Sequence, residues 1–250
     1  MRLLVDGDRV TDVLEPYRDV DRVRPEGGAW VLANMVGGLD GSAAIGGRVG
    51  ALTDTVDAEL FRRLRALADV VLVGAETVRA ERYGPVRLPD DLRAERVAAG
   101  RAPVPSIVVV SRSLRLDWTS PLFVEADPER RTVVAVPAPV LASPAVRQTA
   151  AHAEVLAVEA EDGALSVSAL LAALADRGHD VVLCEGGPAL LGELVAAGRL
   201  DELCLTVAPV VGGDPLPVVR TPPGMPLRSF ALQGVATADG ALFLRYEAVR

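Results

Sequence analysis

Residues 181–194 read VVLCEGGPALLGEL, a short apolar run that ends at a carboxylate, passes through Gly-Gly-Pro and becomes an amphipathic helix. Val181, Val182 and Leu183 pattern as a buried strand. Leu190, Leu191 and Leu194 recur at helical spacing after Pro188, a residue suited to the first turn of a helix. Glu185, Gly186 and Gly187 therefore form a strand-to-helix turn. Such a turn aims unpaired backbone N–H groups and the positive end of the helix dipole outward, and two glycines let an anion approach without a side chain in the way. That is the chemistry of a nucleotide phosphate cradle. Gly-Gly-Pro also serves as a plain tight turn, so the rest of the chain must decide between the two.

Other turns follow apolar runs in the same manner: Gly38-Leu39-Asp40-Gly41, Gly74-Ala75-Glu76-Thr77, and Ser111-Arg112. Each pairs a small residue, which lets a ligand approach the backbone, with a polar side chain able to fix it. In open α/β sheets ligands bind outside the carboxyl ends of the strands, which is where these turns fall.

Several elements must position these turns. Strands are predicted at WVLANMV from Trp30, at VVLVG ending at Gly74, at SIVVVS around Val108, at TVVAV around Val134 and at Val181–Leu183. Continuous apolar runs of this kind suit strands covered on both faces. ELFRRLRALA sets Leu60, Phe61, Leu64 and Leu67 on one helical face, with Thr53 or Asp54 as its N-cap. DDLRAERVAAG reads as a surface helix and SVSALLAALADR as an amphipathic helix feeding the strand at Val181. LDELCLTVAPVVGG gives another strand, and FALQGVATADGALFLRYEAV gives two strands joined at Asp239-Gly240. The expected architecture is a single α/β domain over 29–250 with a central mixed, mostly parallel sheet flanked by helices and closed by a C-terminal antiparallel hairpin. Residues 1–28 read as a short helix and linker.

Composition narrows the partners. The 250 residues are 50% hydrophobic, enough for a large core, and 26 Lys plus Arg against 34 Asp plus Glu give a charge of −8. That balance speaks against broad nucleic-acid or acidic-membrane binding. Cys184 and Cys204 lie in apolar runs and read as reduced core residues, and no Cys or His pairs have zinc-ligand spacing, so no metal is expected. Charges at Asp6, Asp8 and Arg9 stand where a signal peptide needs an apolar stretch, and no window is long enough for a membrane span. A cytoplasmic protein is expected.

The ordered series NMVGGLDG, then TD followed by LRALADVVLVGAETVRAE, then LCEGGPALLGELVAAGRLDELCLTVAPVVGG resembles the reductase domain of bacterial riboflavin-biosynthesis deaminase/reductases, a relative of dihydrofolate reductase in fold. The resemblance covers roughly Trp30 to Gly213 and implies a dihydrofolate reductase-like domain that uses NADPH. In that family the turn corresponding to Gly186, Gly187, Pro188, Ala189, Leu190 and Leu191 holds the dinucleotide pyrophosphate. Thr77, with Gly74, and Thr53 correspond to cofactor contacts, with helix capping as the alternative for each threonine. Ser111 and Arg112 are placed to take the 2′-phosphate, Arg112 through its fork of donors, unless it is an ordinary solvated arginine. Glu185 and Arg65 correspond to substrate contacts, and Arg87 to a further phosphate contact. Asp40 resembles the family's Asp-Gly and is the one candidate catalytic residue, able to orient the pyrimidine or supply a water with a proton.

The resemblance implies hydride transfer to C1′ of a phosphorylated ribosylaminopyrimidine, of the 5-amino-6-(5-phosphoribosylamino)uracil type, and a homodimer whose surface comes from the LCLTVAPVV strand and the C-terminal hairpin. Two positions depart from the family pattern: Asn34, a candidate substrate contact, stands for the usual Lys, and Gly38 for the usual Ser. There is no P-C-x-x-C, so a stand-alone reductase without the zinc deaminase is expected. A reductase of a dihydrofolate- or pterin-like substrate, and a nucleotide-binding protein without turnover, are the alternatives.

Overall fold

The computed structural model describes residues 12–250 except residue 162, together with a two-residue strand, β1, at Arg2–Leu3. The charges noted at Asp6, Asp8 and Arg9 lie outside the described residues. The remaining strands are β2 (Trp30–Gly38), β3 (Val70–Gly74), β4 (Ser106–Val110), β5 (Val133–Pro137), β6 (Glu154–Val158), β7 (Ala160–Glu161), β8 (Ala164–Leu165), β9 (Val181–Cys184), β10 (Glu202–Ala208), β11 (Phe230–Ala238) and β12 (Ala241–Ala248). Helices are α1 (Glu15–Arg18), α2 (Thr55–Leu64), α3 (Ala75–Glu81), α4 (Asp90–Ala98), α5 (Pro121–Val124), α6 (Ala145–His152), α7 (Val167–Ala175) and α8 (Pro188–Ala196). A 3₁₀ turn, Arg65–Leu67, continues α2.

Apart from the small β7–β8 hairpin, the strands form one sheet in the order β1-β11-β12-β10-β2-β9-β3-β4-β5-β6. Pairing is parallel from β10 to β6 and antiparallel among β10, β12, β11 and β1. This is the mixed sheet with a C-terminal hairpin expected from the sequence. The Val- and Leu-rich central strands are buried because helices cover both faces. On one face Leu32, Val71, Val73, Val109 and Leu183 share a core with Leu60 and Leu64 of α2. On the other, Ala33, Leu72, Val108 and Val182 share one with Leu171 of α7 and Leu191 and Leu194 of α8.

The segment before β2 is more than a linker. Leu14 and Tyr17, at 0% and 2% exposure, belong to the α2-side core. Arg22 forks onto the buried Glu202 of β10, with Nε–Oε2 at 2.9 Å and Nη2–Oε1 at 3.0 Å.

After β10 the chain returns as an irregular strap that crosses α8, where the Arg220 N–H donates to the Pro188 carbonyl at 2.9 Å. A Cβ on Gly192 would overlap the Arg220 carbonyl, so the helix accepts the strap only because this residue has no side chain. Gly192→Ala is expected to displace the strap and destabilise the fold by about 1–3 kcal/mol, the usual range for overpacking. Urea denaturation checks this, and an unchanged midpoint would show that the strap is not held there.

Candidate active site

The carboxyl ends of β2, β3, β4, β5 and β9 open into one cavity of about 820 Å³. Its floor on the β3–β9 side is the turn singled out from the sequence. The Glu185 N–H donates to the Leu72 carbonyl at 3.0 Å, and the Gly74 N–H donates to the Gly186 carbonyl at 2.8 Å, so the turn is fixed to the end of β3. Gly186 has φ +88°, a region that favours glycine, and the Gly186–Gly187 peptide is cis. A Cβ on Gly187 would lie 2.7 Å from Thr77 Oγ1, and one on Gly74 would lie 3.3 Å from the Gly187 nitrogen. The three glycines and Thr77 thus converge as bare backbone and one hydroxyl. Gly187 caps α8 without a side-chain hydrogen bond, and Pro188 takes the first turn. The N–H groups of Ala189 and Leu190 therefore lack the intrahelical partners that later residues have, and they point with the helix dipole at the cavity's end.

The opposite wall is α2. Asp54 caps it, accepting from the Asp57 N–H at 2.7 Å, so capping is not the role of Thr53, which lines the cavity. Asp57, Phe61 and Arg65 recur every fourth residue and all face the cavity. Arg65 forks onto Glu185, with Nε–Oε1 at 2.7 Å and Nη2–Oε2 at 2.8 Å, and the Tyr83 hydroxyl donates to Oε2 at 2.6 Å. Its guanidinium lies 4.5 Å from the centroid of the Phe61 ring. Burial alone would lower the Arg65 pKa, but the Glu185 carboxylate outweighs it and holds the guanidinium above its ordinary value. Burial, the dominant cause, pushes the Tyr83 hydroxyl up, so it stays a donor.

The sheet face beneath α2 carries the other polar groups. Asn34 and Val36 alternate with Ala33 and Met35 and share the α2 side with Leu32, and across the β2–β10 register Thr206 stands opposite Val36. Asn34 is 7% exposed and its Oδ1 has no hydrogen-bond partner among the described residues. Asp57 is 4% exposed, beside the hydroxyls of Thr206 and Thr53. Burial raises its pKa, and those hydroxyls only partly oppose the shift.

Of the turns predicted to bind ligand, those at Gly74, Ser111 and Glu185 meet in the cavity. The turn at Gly38 does not. Asp40 lies outside the lining, and its carboxylate accepts from Ser42 Oγ at 2.6 Å, the Ser42 N–H at 3.1 Å, the Gly212 N–H at 2.7 Å and the Gly213 N–H at 3.2 Å. These donors, Ser42 foremost, hold its pKa well below the usual carboxylate range, and the carboxylate pins two loops together outside the cavity where its catalytic and substrate-binding roles are expected. The same network explains Gly38, since a Cβ there would lie 2.9 Å from Asp40 Oδ1 and 3.0 Å from the Val210 carbonyl.

Arg87 is likewise outside the cavity, with a side chain 79% exposed and paired to Glu125 at 2.7 Å. Leu191 is fully buried in the α8-side core and offers no surface to a ligand. Ser111 is at the rim but buried, its Oγ accepting from the Leu114 N–H at 3.1 Å; Arg112 beside it is exposed and lines the cavity. Thr77 is the third residue of α3, whose N-cap is Gly74, so its hydroxyl is not a cap. Arg65 and Glu185 are brought together, but onto each other. Arg65 Nη1 is the guanidinium nitrogen left without a partner among the described residues.

Asp57 and Tyr83 are cavity groups that the sequence reading missed. Asp57 had a legible signal, being an acid on the same helical stripe as Leu60 and Leu64 where an apolar residue is the rule. Among the described residues no cluster of His, Cys, Asp or Glu is suited to a metal ion, and no helix is long and apolar enough to cross a membrane.

A parallel sheet with a polar-lined cavity at its carboxyl ends, closed by an antiparallel hairpin, defines an α/β small-molecule-binding domain. More narrowly, the chain belongs to the RibD C-terminal domain family, whose model matches residues 29–239. It is 31% identical over 192 residues, 76% of this chain and 85% of the relative, to the 2,5-diamino-6-ribosylamino-4(3H)-pyrimidinone 5′-phosphate reductase of Archaeoglobus fulgidus. It is similar to the crystal structure of a pyrimidine reductase-like protein from Corynebacterium diphtheriae, with 29% identity and a TM-score of 0.83 over 96% of this chain and all of that one. A deaminase/reductase from Thermotoga maritima shares the fold, with a TM-score of 0.65 at 21% identity over 89% of this chain and 57% of that one.

The buried Asp57 has a measurable signature. An acid with a raised folded pKa makes the folded state bind more protons between its unfolded and folded values, so stability falls as pH rises through that interval. Asp57→Asn is expected to raise the Tm at pH 7 relative to wild type, with the difference closing as pH drops below the ordinary value of 3.8. Thermal melts across that range decide it; a Tm difference that does not change with pH would contradict the assignment.

Proposed function

We propose that this chain is an NADPH-dependent reductase of riboflavin biosynthesis that converts the ribosyl group of a phosphorylated ribosylaminopyrimidine to ribityl. The observation that carries the reading is the convergence, in one cavity, of a side-chain-free anion cradle with a wall of buried polar groups on α2. The cradle fits a dinucleotide: Gly74, Gly186 and Gly187 leave room that a Cβ would fill, and the first-turn N–H groups of α8 face it. In this reading Pro188, Ala189 and Leu190 approach the pyrophosphate, Thr77 donates to a cofactor oxygen, Thr53 stands at the cofactor with its hydroxyl bonded to Asp57, and Ser111 with Arg112 takes the 2′-phosphate. When bound, NADPH supplies the hydride for the C1′ carbon.

The protein's share is to hold two reactants at a fixed distance and exclude water. Arg65, oriented by Glu185 and Tyr83, offers Nη1 to the substrate, and Asn34 offers Oδ1. Glu185 is a positioning residue here, because its oxygens are already taken by Arg65 and Tyr83. The family match and the archaeal relative, a reductase named for an activity of this type, support the assignment. Residues 29–250 form the reductase domain and 1–28 its extension in this reading. Its setting is the cytoplasm, consistent with two buried free thiols, and its charge of −8 suits a small-molecule partner rather than nucleic acid.

The test is oxidation of NADPH with the ribosylaminopyrimidine phosphate, with dihydrofolate in parallel. Turnover of the pyrimidine and none of dihydrofolate is expected. Turnover of dihydrofolate alone would replace the substrate, and NADPH binding without turnover of either would leave a nucleotide-binding protein.

We further propose a homodimer through the sheet face opposite α2. There Leu203 pairs with Tyr246, Leu205 with Leu244 and Val207 with Leu242 across β10 and β12, and all are left partly exposed. Such a strip is a typical subunit contact. Leu205→Glu is expected to shift sedimentation from dimer to monomer, and a monomeric wild type would overturn this.

A further inference from the structure

The cradle and the Arg65–Glu185 fork bind and orient, but neither supplies the proton that reduction at C1′ consumes. Once the ribosylamine opens to an imine, its carbon takes a hydride and its nitrogen takes a proton from an acid. Among the described residues five carboxyl groups line the cavity, those of Asp57, Glu76, Glu81, Glu185 and Glu193, and no histidine does. Four of the five are placed for other work. Glu185 has both oxygens on Arg65, with Tyr83 on one of them, and Glu81 accepts from the Val49 N–H at 2.8 Å. Glu76 and Glu193 are exposed on α3 and α8, the helices that flank the cradle opposite the α2 wall. Asp57 remains, buried on that wall, bonded to the hydroxyls of Thr206 and Thr53 and to no cation among the described residues. Its charged and titratable neighbours are Asp54 on the same helix and the Tyr17 hydroxyl of α1. Beyond Tyr17 lies Glu202, which is paired with Arg22 and Arg245.

We propose that Asp57 holds the proton that the substrate nitrogen on C1′ takes up as hydride reaches that carbon, with the Thr53 and Thr206 hydroxyls keeping the carboxyl in place. This rests on the functional reading above and adds the acid that it leaves unnamed.

In the step itself a C1′–H bond forms from the hydride and the π pair of the C=N bond moves onto nitrogen. An N–H bond forms there as the Asp57 O–H bond breaks; the imine is reduced, with NADPH as the reductant. The carboxylate left behind regains its proton from solvent once product leaves. Two features suit Asp57 to this. Burial, the dominant cause, favours its neutral carboxyl and the Asp54 charge acts the same way, while the threonine hydroxyls only partly oppose them. Ligands that fill the cavity exclude more water and push in the same direction. Thr53 also lines the cavity, so the carboxyl is held beside the place read for the cofactor, where C1′ must lie to receive hydride.

Infrared difference spectra of the protein without ligands follow the carboxyl groups through a pH titration, and Asp57→Asn identifies the band of Asp57. Titration above the ordinary value of 3.8 is expected. In the wild type, kcat for the ribosylaminopyrimidine phosphate, followed by NADPH oxidation, is expected to fall as pH rises and the acid loses its proton. In Asp57→Asn that fall with pH should disappear and kcat at pH 7 should drop about 100-fold, the low end of what a positioned acid contributes. NADP⁺ affinity, measured by calorimetry, should stay the same, and thermal melts show that the variant folds. Turnover by a wild type in which Asp57 titrates at its ordinary value overturns the assignment of Asp57 and leaves the reductase reading intact. So does an Asp57→Asn enzyme that keeps the fall with pH. A wild type that turns over no pyrimidine overturns the reductase reading and the proton delivery with it.

Discussion

The structure of the cavity depends on one buried ion pair. Glu185 ends β9 and Arg65 ends α2, and the fork between them, closed by Tyr83, ties the helix wall to the sheet at the point where the glycine cradle begins. Such pairs contribute little net stability, since desolvation offsets much of the attraction, yet removing one partner costs about 3–5 kcal/mol by stranding the other. The pair therefore fixes position. Because Glu185 N–H is also bonded to Leu72, the carboxylate cannot drift along β9, and Arg65 is aimed by a group that belongs to the rigid sheet.

This arrangement explains how the cradle stays bare. Gly74 at the end of β3, Gly187 at the start of α8 and Thr77 in the first turn of α3 are packed so closely that a Cβ would collide with Thr77 at Gly187 and be crowded by the Gly187 backbone at Gly74. Under the proposed function, an anion site of this kind needs little positive side-chain charge. In a chain with a net charge of −8, backbone N–H groups and a helix dipole supply the attraction locally.

Most of the frame was legible in the sequence, because its signals are periodic and local. The strands at β3, β4, β5 and β9 announce themselves as unbroken apolar runs, and Pro188 marks the start of α8. Roles that depend on which groups meet across the fold were less legible. Glu185 and Arg65 stand 120 residues apart, and each alone looks like a ligand contact; only the fold shows that each satisfies the other. Asp40 carries the family's Asp-Gly, but its donors come from Gly212 and Gly213, a loop that no local pattern links to it. The outward placement of Arg87 was illegible for a simpler reason: an arginine on a connection has no periodicity to say which way it faces.

Asn34 and Gly38, the departures from the family pattern, have separate physical consequences although both lie on β2. Gly38 is accounted for by the crowding of Asp40 and Val210 and lies outside the cavity lining. Asn34 lines the cavity and sets an unpartnered amide oxygen where the resemblance implies a cation. With the Asp57 carboxyl on one side and a guanidinium already neutralised by Glu185 on the other, the middle of the site becomes acceptor-rich. Along α2, Asp57 and Arg65 are separated by about 12 Å of helical rise at 1.5 Å per residue. A ligand spanning that wall meets acceptors at one end and a single free guanidinium nitrogen at the other. Under the proposed function that polarity suits a heterocycle joined to an anionic tail, and it is set by the two turns of helix between those residues.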